Sequence, residues 1–294
     1  MALGVTGANG GIIGPTNSPV QSRNNTTFNT SAPGGHTFHP ATTGIDYIIV
    51  AGSGGRNPTG IGNSGSGGGG MKVSESNFAT PVTGGGTTGA ITIGGAGGGG
   101  SQGGPSSIAA GGGIPTTIST SGGGGGKARG QPGQGGGSGS GGGDGYPSNV
   151  TSGGPSVSGE GNPGGPGGPG EPSGGGGGKG GAGGAPGGHP QYGPGPGYLS
   201  DIESPGSAPV TLAYATGGSG EGAPGDASFG NNQYYPGGSS TGTGRSNSGM
   251  GTLYGDSVNG VVVISENGGR AVTASGVWTL KEQFDEKKDG VWTS

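Results

Sequence analysis

The sequence predicts a mostly irregular and β-type fold: a glycine-rich bundle of polyproline II helices, bracketed by short β-strands and followed by a short C-terminal helix. Three observations support this prediction. The 294 residues include 90 Gly and 23 Pro. Prolines recur at every third position from Pro163 to Pro172, and strand-like aliphatic segments stand at both ends of the glycine-rich part. A polyproline II helix turns once every three residues and makes no internal hydrogen bonds, so its backbone groups can bond to neighbouring helices.

The composition limits how such a chain can fold. Apolar residues make up 24% and aromatic residues 5% of the sequence, which is too little for an ordinary core and, taken alone, favours a disordered chain. A folded chain must therefore rely on backbone hydrogen bonds as well as on buried side chains. The small, dispersed net charge of -4 argues against a nucleic-acid partner. The absence of cysteine excludes disulfides and thiolate metal sites.

Residues 1–35 are rich in Asn, Thr, Ser and Gly. We expect a separate attachment or leader segment, in which "TTFNT" forms a loop or a short edge strand. The start of the chain has no positive segment followed by a sustained apolar stretch, so a secretory signal is not expected. The longest apolar run, Tyr47 to Ala51, is far shorter than the roughly 20 residues that span a bilayer. We therefore expect synthesis in the cytoplasm and no membrane insertion.

Residues 36–265 form the predicted glycine-rich domain. It opens with "HTFHPATTGIDYIIVAG", which predicts two strands, His36–His39 and Gly44–Val50, joined by a turn that contains proline. Glycine runs then alternate with short inserts of Ser, Thr, Ile, Val and Tyr at irregular spacing, so a regular solenoid is not expected. The closing strand is "GVVVIS". We expect Val261–Ile264 to lie beside Tyr47–Val50 in one sheet.

The period of three is carried by "GNPGGPGGPGEPSGGGGGKGGAGGAPGGHP", residues 161–190. Three residues per turn place Pro163, Pro166, Pro169 and Pro172 on one face, where missing N–H groups do no harm if that face points to solvent. We expect ordered polyproline II passes with prolines outward and glycines toward neighbouring runs. A collagen triple helix is disfavoured because Ser173 interrupts the glycine register. A disordered linker stays open as an alternative.

Residues 266–294 are predicted to form a C-terminal hairpin and helix. The Asn-Gly pair at 267–268, between Val261–Glu266 and Arg270–Ala274, favours a type I′ hairpin turn because both turn positions tolerate positive φ. Thr279 and Glu282 have the spacing of a capping box. They predict a short amphipathic helix between the two copies of "GVWT".

The sequence contains no arrangement typical of an enzyme or a cofactor site. G-x-G-x-x-G patterns arise by chance in so much glycine, and none leads from a strand into a helix. No G-x-S-x-G elbow stands between a strand and a helix. The histidines His36, His39 and His189 do not stand at metal-ligand spacing with carboxylates. We expect no catalytic residue, no metal and no cofactor.

Tyrosines are the candidate binding residues. Tyr192, Tyr198, Tyr234 and Tyr235 lie in inserts between glycine runs, and Tyr214 lies in a similar insert. Tyrosine offers a large, rigid and amphipathic contact surface at low entropic cost, which suits recognition loops. The first four are therefore predicted to bind a receptor. The alternative, that the rings cap the ends of the glycine bundle and cover its few apolar residues, stays open.

Several motifs resemble those of a known family. "HTFHPATTGIDYIIVAGSGG" is similar to the opening of the glycine-rich domains of bacteriophage tail fibres and receptor-binding (adhesin) proteins. "GVVVIS" resembles their closing strand, and "SSIAAGGG" resembles their interior units. The resemblance covers the chain from Gly35 to about Ser265. The final "ASGVWTLKEQFDEKKDGVW" resembles a tail found on virion proteins of marine phages.

The resemblance implies a structural virion protein of the phage tail, a fibre or an adhesin tip. Its loops would bind a host cell-surface receptor, either a glycan or an outer-membrane protein, and its other partners would be virion tail proteins. A homotrimer stays open, because the sequence has no coiled coil or repeated shaft. The missing secretory signal fits a virion protein, which is released by lysis. The alternatives are a self-assembling structural protein, such as a virion decoration or an extracellular filament subunit, and an unstructured linker.

Overall fold

The computed structural model describes residues 23–57, 62–145, 148–169, 173–184, 193–200, 202, 212–220, 249 and 257–267. Within these residues there is no helix, and the backbone is mostly irregular with short antiparallel strands in three sheets. In chain order the strands are β1 (Arg23–Phe28), β2 (Gly44–Val50), β3 (Met71–Ser74), β4 (Thr80–Pro81), β5 (Ile91–Thr92), β6 (Ser106–Ile108), β7 (Ile118–Thr120), β8 (Tyr198–Ser200), β9 (Leu212–Tyr214) and β10 (Val261–Asn267). The mostly irregular and β-type architecture predicted from the sequence is thereby confirmed at this coarse level.

The central sheet contains five strands in the order β1-β10-β2-β3, and β4 pairs with the other end of β2. The second sheet is β5-β6-β7, and the third is the two-stranded sheet β8-β9. The strands of the second and third sheets come from the short inserts between glycine runs. The inserts are therefore not uniform loops, because segments that contain Ile, Leu and Tyr form strands.

The predicted pairing of the two bracketing strands is confirmed. Val261 lies opposite Val50 and Ile264 lies opposite Tyr47, in an antiparallel register that continues to Glu266 opposite Ile45. Both strands are buried along nearly their whole length. Continuous aliphatic runs of this kind bury both faces of a strand, which is why the sequence identified them.

The two faces of the central sheet carry separate hydrophobic clusters. Alternate residues of β2 point to opposite sides: Ile45 and Ile49 face the first cluster, and Ile48 and Val50 face the second. The first cluster also contains Phe38, Ile91, Ile108, Ile114, Val262 and Ile264, and the second contains Met71, Ile202, Tyr214, Ala215, Val261 and Val263. The sheet β5-β6-β7 thus closes the first cluster, and the β8-β9 region closes the second.

The strand predicted at His36–His39 is wrong. The segment makes only an isolated bridge, Thr37 to Thr87, and Phe38 inserts its ring into the first cluster with 1% exposure. His36 stacks edge-on between the rings of Phe28 and Phe38. The apolar and polar residues alternate as in a strand, but the backbone bonds to segment 86–88 stop at this one bridge, and side-chain contacts hold the rest of the segment.

The segment before residue 36 contributes to the central sheet. β1 pairs with β10 from Arg23 opposite Asn267 to Phe28 opposite Val262, and Ala32 bridges to Ile91 of the second sheet. Residues 23–35 are thus part of the folded domain, and the edge-strand interpretation of "TTFNT" holds for its first three residues. Residues 1–22 lie outside the described residues.

Both edges of β10 are occupied, which removes the basis of the predicted C-terminal hairpin. β1 pairs with β10 along one edge and β2 along the other, up to Glu266 and Asn267. The Asn267 carboxamide oxygen accepts bonds of 3.0 Å from the amides of Thr43 and Gly44. A hairpin through 267–268 would need a free edge of β10. Arg270–Ala274 and the predicted helix lie outside the described residues.

Between the strands, the glycine runs bond to one another through their backbones. Every residue from 136 to 145 is buried, and consecutive amides of this run donate to different neighbouring segments. The bonds are Gly139 to Asn162 (3.1 Å), Gly142 to Gly165 (2.9 Å) and Gly145 to Gly168 (3.0 Å); Ser140 to Gln134 (2.9 Å) and Gly143 to Gln131 (2.9 Å); and Gly141 to Gly65 (2.9 Å) and Asp144 to Gly62 (3.1 Å). Each neighbour therefore receives every third amide of the run.

The same spacing recurs in other runs. In run 173–180, pairs of amides three residues apart bond to one neighbour: Gly174 to Gly142 and Gly177 to Gly139 (both 2.8 Å), and Gly176 to Gly218 (2.7 Å) and Lys179 to Ala215 (2.9 Å). In run 62–70 the bonds are Ser64 to Lys127 (3.0 Å), Gly67 to Gly124 (2.8 Å) and Gly70 to Ser121 (2.8 Å). The glycine runs are therefore an interlocked body within one chain.

The described parts of stretch 161–190 belong to this body. Pro163 and Pro169 are exposed and Pro166 is half-buried, whereas Gly165 and Gly167 are buried, so two of the three described prolines face solvent as expected. A Cβ on Gly165 would overlap the backbone of Gly184. The close approach of the two backbones is possible only because residue 165 has no side chain. Residues 170–172 and 185–190 lie outside the described residues.

Candidate functional site

Three reversals of the glycine runs lie at one end of the described chain, here called the loop end and defined by residues 98–101, 127–131, 145 and 148–149. Each reversal is closed by a short-range backbone bond: Ser101 to Gly98 (2.9 Å), Gln131 to Ala128 (3.2 Å) and Asn149 to Gly145 (2.7 Å). The opposite end, here called the sheet end, is the central sheet with the strands that cover it.

The register of the runs places these reversals away from the sheet. The chain leaves β2 at Ala51, whose amide bonds to Gly70 just before β3, and Gly54 bonds to Gly67. The two segments are thus antiparallel and move away from the sheet together. Gly55 then bonds to Ser101, which belongs to the first reversal. The loop end is therefore the far end of the glycine runs.

Side chains join the reversals to one another. The Lys127 ammonium donates to the carbonyl oxygen of Gly100 at 3.2 Å, and the amide of Gly130 donates to the carbonyl oxygen of Asp144 at 2.5 Å. The Arg129 Nε lies 2.8 Å from Oδ2 of Asp144, which is fully buried. This ion pair fixes the second reversal onto run 137–145, so the loop end is a connected surface.

Exposed apolar side chains occur at both ends. Val150 follows the third reversal and is 69% exposed, whereas Val157 is 41% exposed. Val157 lies at the sheet end, because its carbonyl accepts from the amide of Glu160, whose own carbonyl accepts from Met71 of β3. The two valines offer matched positions for testing which end binds a partner.

Three of the four predicted receptor-binding tyrosines, Tyr192, Tyr234 and Tyr235, lie outside the described residues. The segment 185–192 is flanked by Gly184 and Gly193, which bond to each other at 3.0 Å. The segment 221–248 begins after Gly220, where a Cβ would overlap the carbonyls of Ser173 and Gly174. The described residues at these flanks belong to the glycine runs, near the loop end.

The fourth, Tyr198, lies at the sheet end. It is in β8, opposite Tyr214 of β9, and its hydroxyl donates to Oε2 of Glu75 at 2.7 Å. The bond to Glu75, together with burial and the carboxylate charge, raises the pKa of Tyr198 to about 12. Ser200 donates to the other oxygen of Glu75. Tyr198 is thus half-buried and engaged within the chain.

Tyr214 is completely buried in the second hydrophobic cluster, and Tyr198 packs against that cluster. These two rings cover apolar residues within the chain, as the capping alternative predicted. The sequence grouped them with the other tyrosines because all lie beside glycine runs. Only the flanking Leu, Ala and Ile residues, which are typical of strands, distinguished them.

A buried polar cluster at the end of β10 was not identified from the sequence. Glu266 is 3% exposed and accepts from His36 Nε2 at 2.8 Å, the His39 amide at 2.9 Å and Thr42 Oγ1 at 2.5 Å. Burial alone would raise the pKa of Glu266, but these hydrogen bonds outweigh it and lower the pKa. The cluster fastens segment 36–44 to the closing strand.

A second buried carboxylate, Glu160, joins a glycine-run turn to the sheet. Its Oε2 accepts from the amide of Ser121 at 2.7 Å, and Lys72 of β3 lies 3.6 Å from Oε1. Burial lowers the pKa of Lys179, and the charge of Glu160 partly opposes this shift. These groups are structural links between the two parts of the fold.

In the described ranges, no three or more His, Cys, Asp or Glu side chains form a group that could hold a metal ion. The same residues contain no helix long and apolar enough to cross a membrane. Comparison with known proteins finds no matching family model and no matching curated sequence.

Proposed function

We propose that the protein is a structural virion protein of a phage tail, a fibre or adhesin tip that binds a host cell-surface receptor through loops displayed on a glycine-rich scaffold. The sequence motifs that resemble phage adhesins are the source of this proposal. The observation that supports it best is the set of three chain reversals at the loop end, away from the sheet. Loops held at the far end of a hydrogen-bonded body are suited to contact with a surface.

The scaffold is proposed to be a bundle of polyproline II helices. A helix with three residues per turn directs successive amides to three sides, so that each neighbour meets every third residue. The hydrogen bonds of runs 62–70, 137–145 and 173–180 follow this spacing. This agreement supports the proposal, as do the outward prolines Pro163 and Pro169.

The alternative, a subunit that self-assembles through its glycine runs, is less well supported. Such assembly would need backbone groups left free for a second chain. Amides of runs 62–70, 137–145 and 173–180 already bond to other runs of the same chain. A monomeric scaffold that displays loops needs no further pairing of its glycine faces.

Binding to cells tests the proposal. The full-length chain, labelled with a fluorophore, is mixed with a panel of marine Gram-negative isolates, and binding is measured by flow cytometry. We expect binding to a subset of isolates, and removal of binding by Ala at Tyr192, Tyr234 and Tyr235 together. Failure to bind any isolate, together with polymerisation of the purified chain, would favour the filament alternative.

A matched pair of valine variants separates the two ends. Val150→Arg alters the loop end and Val157→Arg alters the sheet end, and both side chains are exposed in the folded chain. We expect Val150→Arg to weaken binding to the selected isolate roughly tenfold or more, with unchanged melting. Val157→Arg should bind like the parent chain. Equal loss in both variants would contradict recognition at the loop end.

A further inference from the structure

Three polar side chains form a row across the central sheet, here called the polar row: Asn25 of β1, Ser265 of β10 and Asp46 of β2. Ser265 lies directly opposite Asn25 on one side and Asp46 on the other. Residues directly opposite one another in antiparallel strands share a face, with Cβ atoms about 5 Å apart. The row thus lies on one face, which it shares with the second hydrophobic cluster.

Each member of the polar row has a buried oxygen that finds no hydrogen-bond partner among the described residues. These atoms are Asn25 Oδ1, Ser265 Oγ and Asp46 Oδ2, and Ser265 and Asp46 are both 0% exposed. Buried polar atoms in folded proteins are nearly always satisfied by protein, water or an ion. Three such atoms at adjacent register positions therefore point to one shared occupant.

Hydrogen bonds hold one oxygen of the Asp46 carboxylate and leave the other oxygen available to bind an ion. Its Oδ1 accepts from the amides of Ser76 at 3.1 Å and Phe78 at 2.9 Å. These bonds stabilise a strained turn, because Asn77 and Phe78 both have positive φ, 58° and 61°. Among the described residues no Lys, Arg or His forms an ion pair with Asp46. A buried carboxylate without a cationic partner is costly, and a bound cation would remove that cost.

Glu75 supplies a second carboxylate next to the polar row. It directly follows Ser74, the last residue of β3, which lies opposite Tyr47. The antiparallel register therefore places Glu75 beside Asp46. Its two oxygens accept from the hydroxyls of Tyr198 and Ser200. Two carboxylates at neighbouring positions make this part of the sheet favourable for a positive charge.

We propose that the polar row binds a calcium ion. Neighbouring strands are about 4.8 Å apart, so Asn25 and Asp46 lie about 9.6 Å apart across β10. In the calcium-bound state the side chains of Asn25 and Asp46 would lean toward Ser265, which lies between them, so that the three oxygens meet one ion at Ca²⁺–O distances of about 2.3–2.6 Å. Carboxylate, carboxamide and hydroxyl oxygens are hard ligands, and Ca²⁺ accepts irregular ligand sets that Mg²⁺ does not.

The ion would fasten three parts of the chain. β1 is the edge strand of the central sheet and pairs only with β10 among the described strands. A ligand from β1, one from β10 and one from β2 tie this edge to the centre of the sheet. The folded domain is thus more stable with calcium than without it, by the mass action of a ligand that binds only the folded state.

Calcium binding to the full-length chain, first treated with a chelator, tests the proposal. We expect one ion per chain by equilibrium dialysis, with a dissociation constant on the order of 10⁻⁴ to 10⁻³ M, and a melting temperature that rises by a few degrees with added Ca²⁺. Asp46→Asn keeps an acceptor for the two amides and removes the charge, so binding should weaken roughly tenfold or more. Ser138→Ala is the control, since Ser138 is another fully buried serine with an unpartnered hydroxyl.

A gain-of-affinity variant keeps the test decisive if Asp46→Asn does not fold. Asn25→Asp adds a second charged ligand, and the calcium affinity should increase roughly tenfold. If the row holds only water, Asn25→Asp brings two negative charges together and lowers the melting temperature whether or not calcium is present. That result would overturn the proposal, as would the absence of calcium binding to the parent chain up to roughly 10 mM.

Discussion

The central sheet and the glycine runs are held together in different ways within the same chain. In the sheet, side chains such as Ile49 and Ile264 are fully buried between two layers, and the backbone ladder only fixes their register. In the glycine runs there are almost no side chains to bury, and the backbones themselves approach and bond. A chain with only 24% apolar residues can thus fold, because the sheet buries apolar side chains and the glycine runs form backbone hydrogen bonds with one another.

The two parts should respond to opposite kinds of substitution. The stability of the sheet should fall when a buried side chain gains a charge or loses a methyl group. Substitutions that change backbone flexibility should matter only at the turns of the sheet. The glycine runs are sensitive to any added Cβ at a contact position. Comparing substitutions of each kind separates cohesion by side chains from cohesion by backbone.

The largest effect is expected in the sheet. Ile49→Asp places a charge in the first hydrophobic cluster, where Ile49 is 0% exposed, and should destabilise the domain by more than about 4 kcal/mol or prevent folding. Ile49→Val, which removes one methylene, should cost about 1 kcal/mol. Urea unfolding measures both. A melting curve for Ile49→Asp that matches the parent chain would contradict the shared sheet.

An intermediate effect is expected in the glycine runs, where two adjacent glycines provide a matched pair. A Cβ on Gly94 would overlap the carbonyl oxygen of Gly104, whereas a Cβ on Gly95 has nothing within 4 Å. Gly94→Ala should therefore cost about 1–3 kcal/mol. Gly95→Ala should be neutral or stabilise by up to about 1 kcal/mol, because alanine restricts the unfolded chain.

Thermal melting of the two glycine variants checks this comparison. Both variants carry the same chemical change at neighbouring positions, so composition and residual structure of the unfolded chain are matched. Equal melting temperatures would mean that close approach of backbones does not hold the runs together.

A smaller effect links the two parts through pH. The pKa of Glu266 is lowered in the folded chain, so its stabilising contribution is present above the ordinary value of 4.5 and is lost as pH falls through the folded-state pKa. We expect the melting temperature to fall below about pH 4.5. Glu266→Gln should cost about 1.5–3 kcal/mol at neutral pH and show a weaker dependence on acid. An unchanged acid dependence in this variant would show that other carboxylates determine it.

The sequence predicted those elements whose signal is local. β2 and β10 are continuous aliphatic runs, and their pairing followed from their positions at the two ends of the glycine-rich part. The period of three in the prolines predicted which residues face solvent, as Pro163 and Pro169 do. In each of these elements, neighbouring residues in the sequence carry the information.

The errors came from contacts between residues far apart in the chain. Asn-Gly at 267–268 is a strong hairpin signal, but β1 from the start of the chain already occupies the edge that the hairpin needs. Phe38 packs into the first hydrophobic cluster, and His36–His39 makes only an isolated bridge where a strand was predicted. Tyr198 was expected in a recognition loop, yet Glu75, 123 residues away, holds its hydroxyl. Contacts of this kind join residues that are distant in the sequence, so no local pattern predicts them.

Amide hydrogen exchange of the glycine runs tests the central claim most directly, because the claim is that hydrogen bonds between runs order the glycine-rich body. The amides of Gly139, Gly142 and Gly145 bond to a neighbouring run, and the amides of β10 provide the reference within the same chain. We expect these three amides to exchange about 10³-fold or more slowly than an unstructured chain, as core amides do. Exchange at the unstructured rate in run 137–145, with β10 protected, would contradict the account and make the runs tethers between sheets.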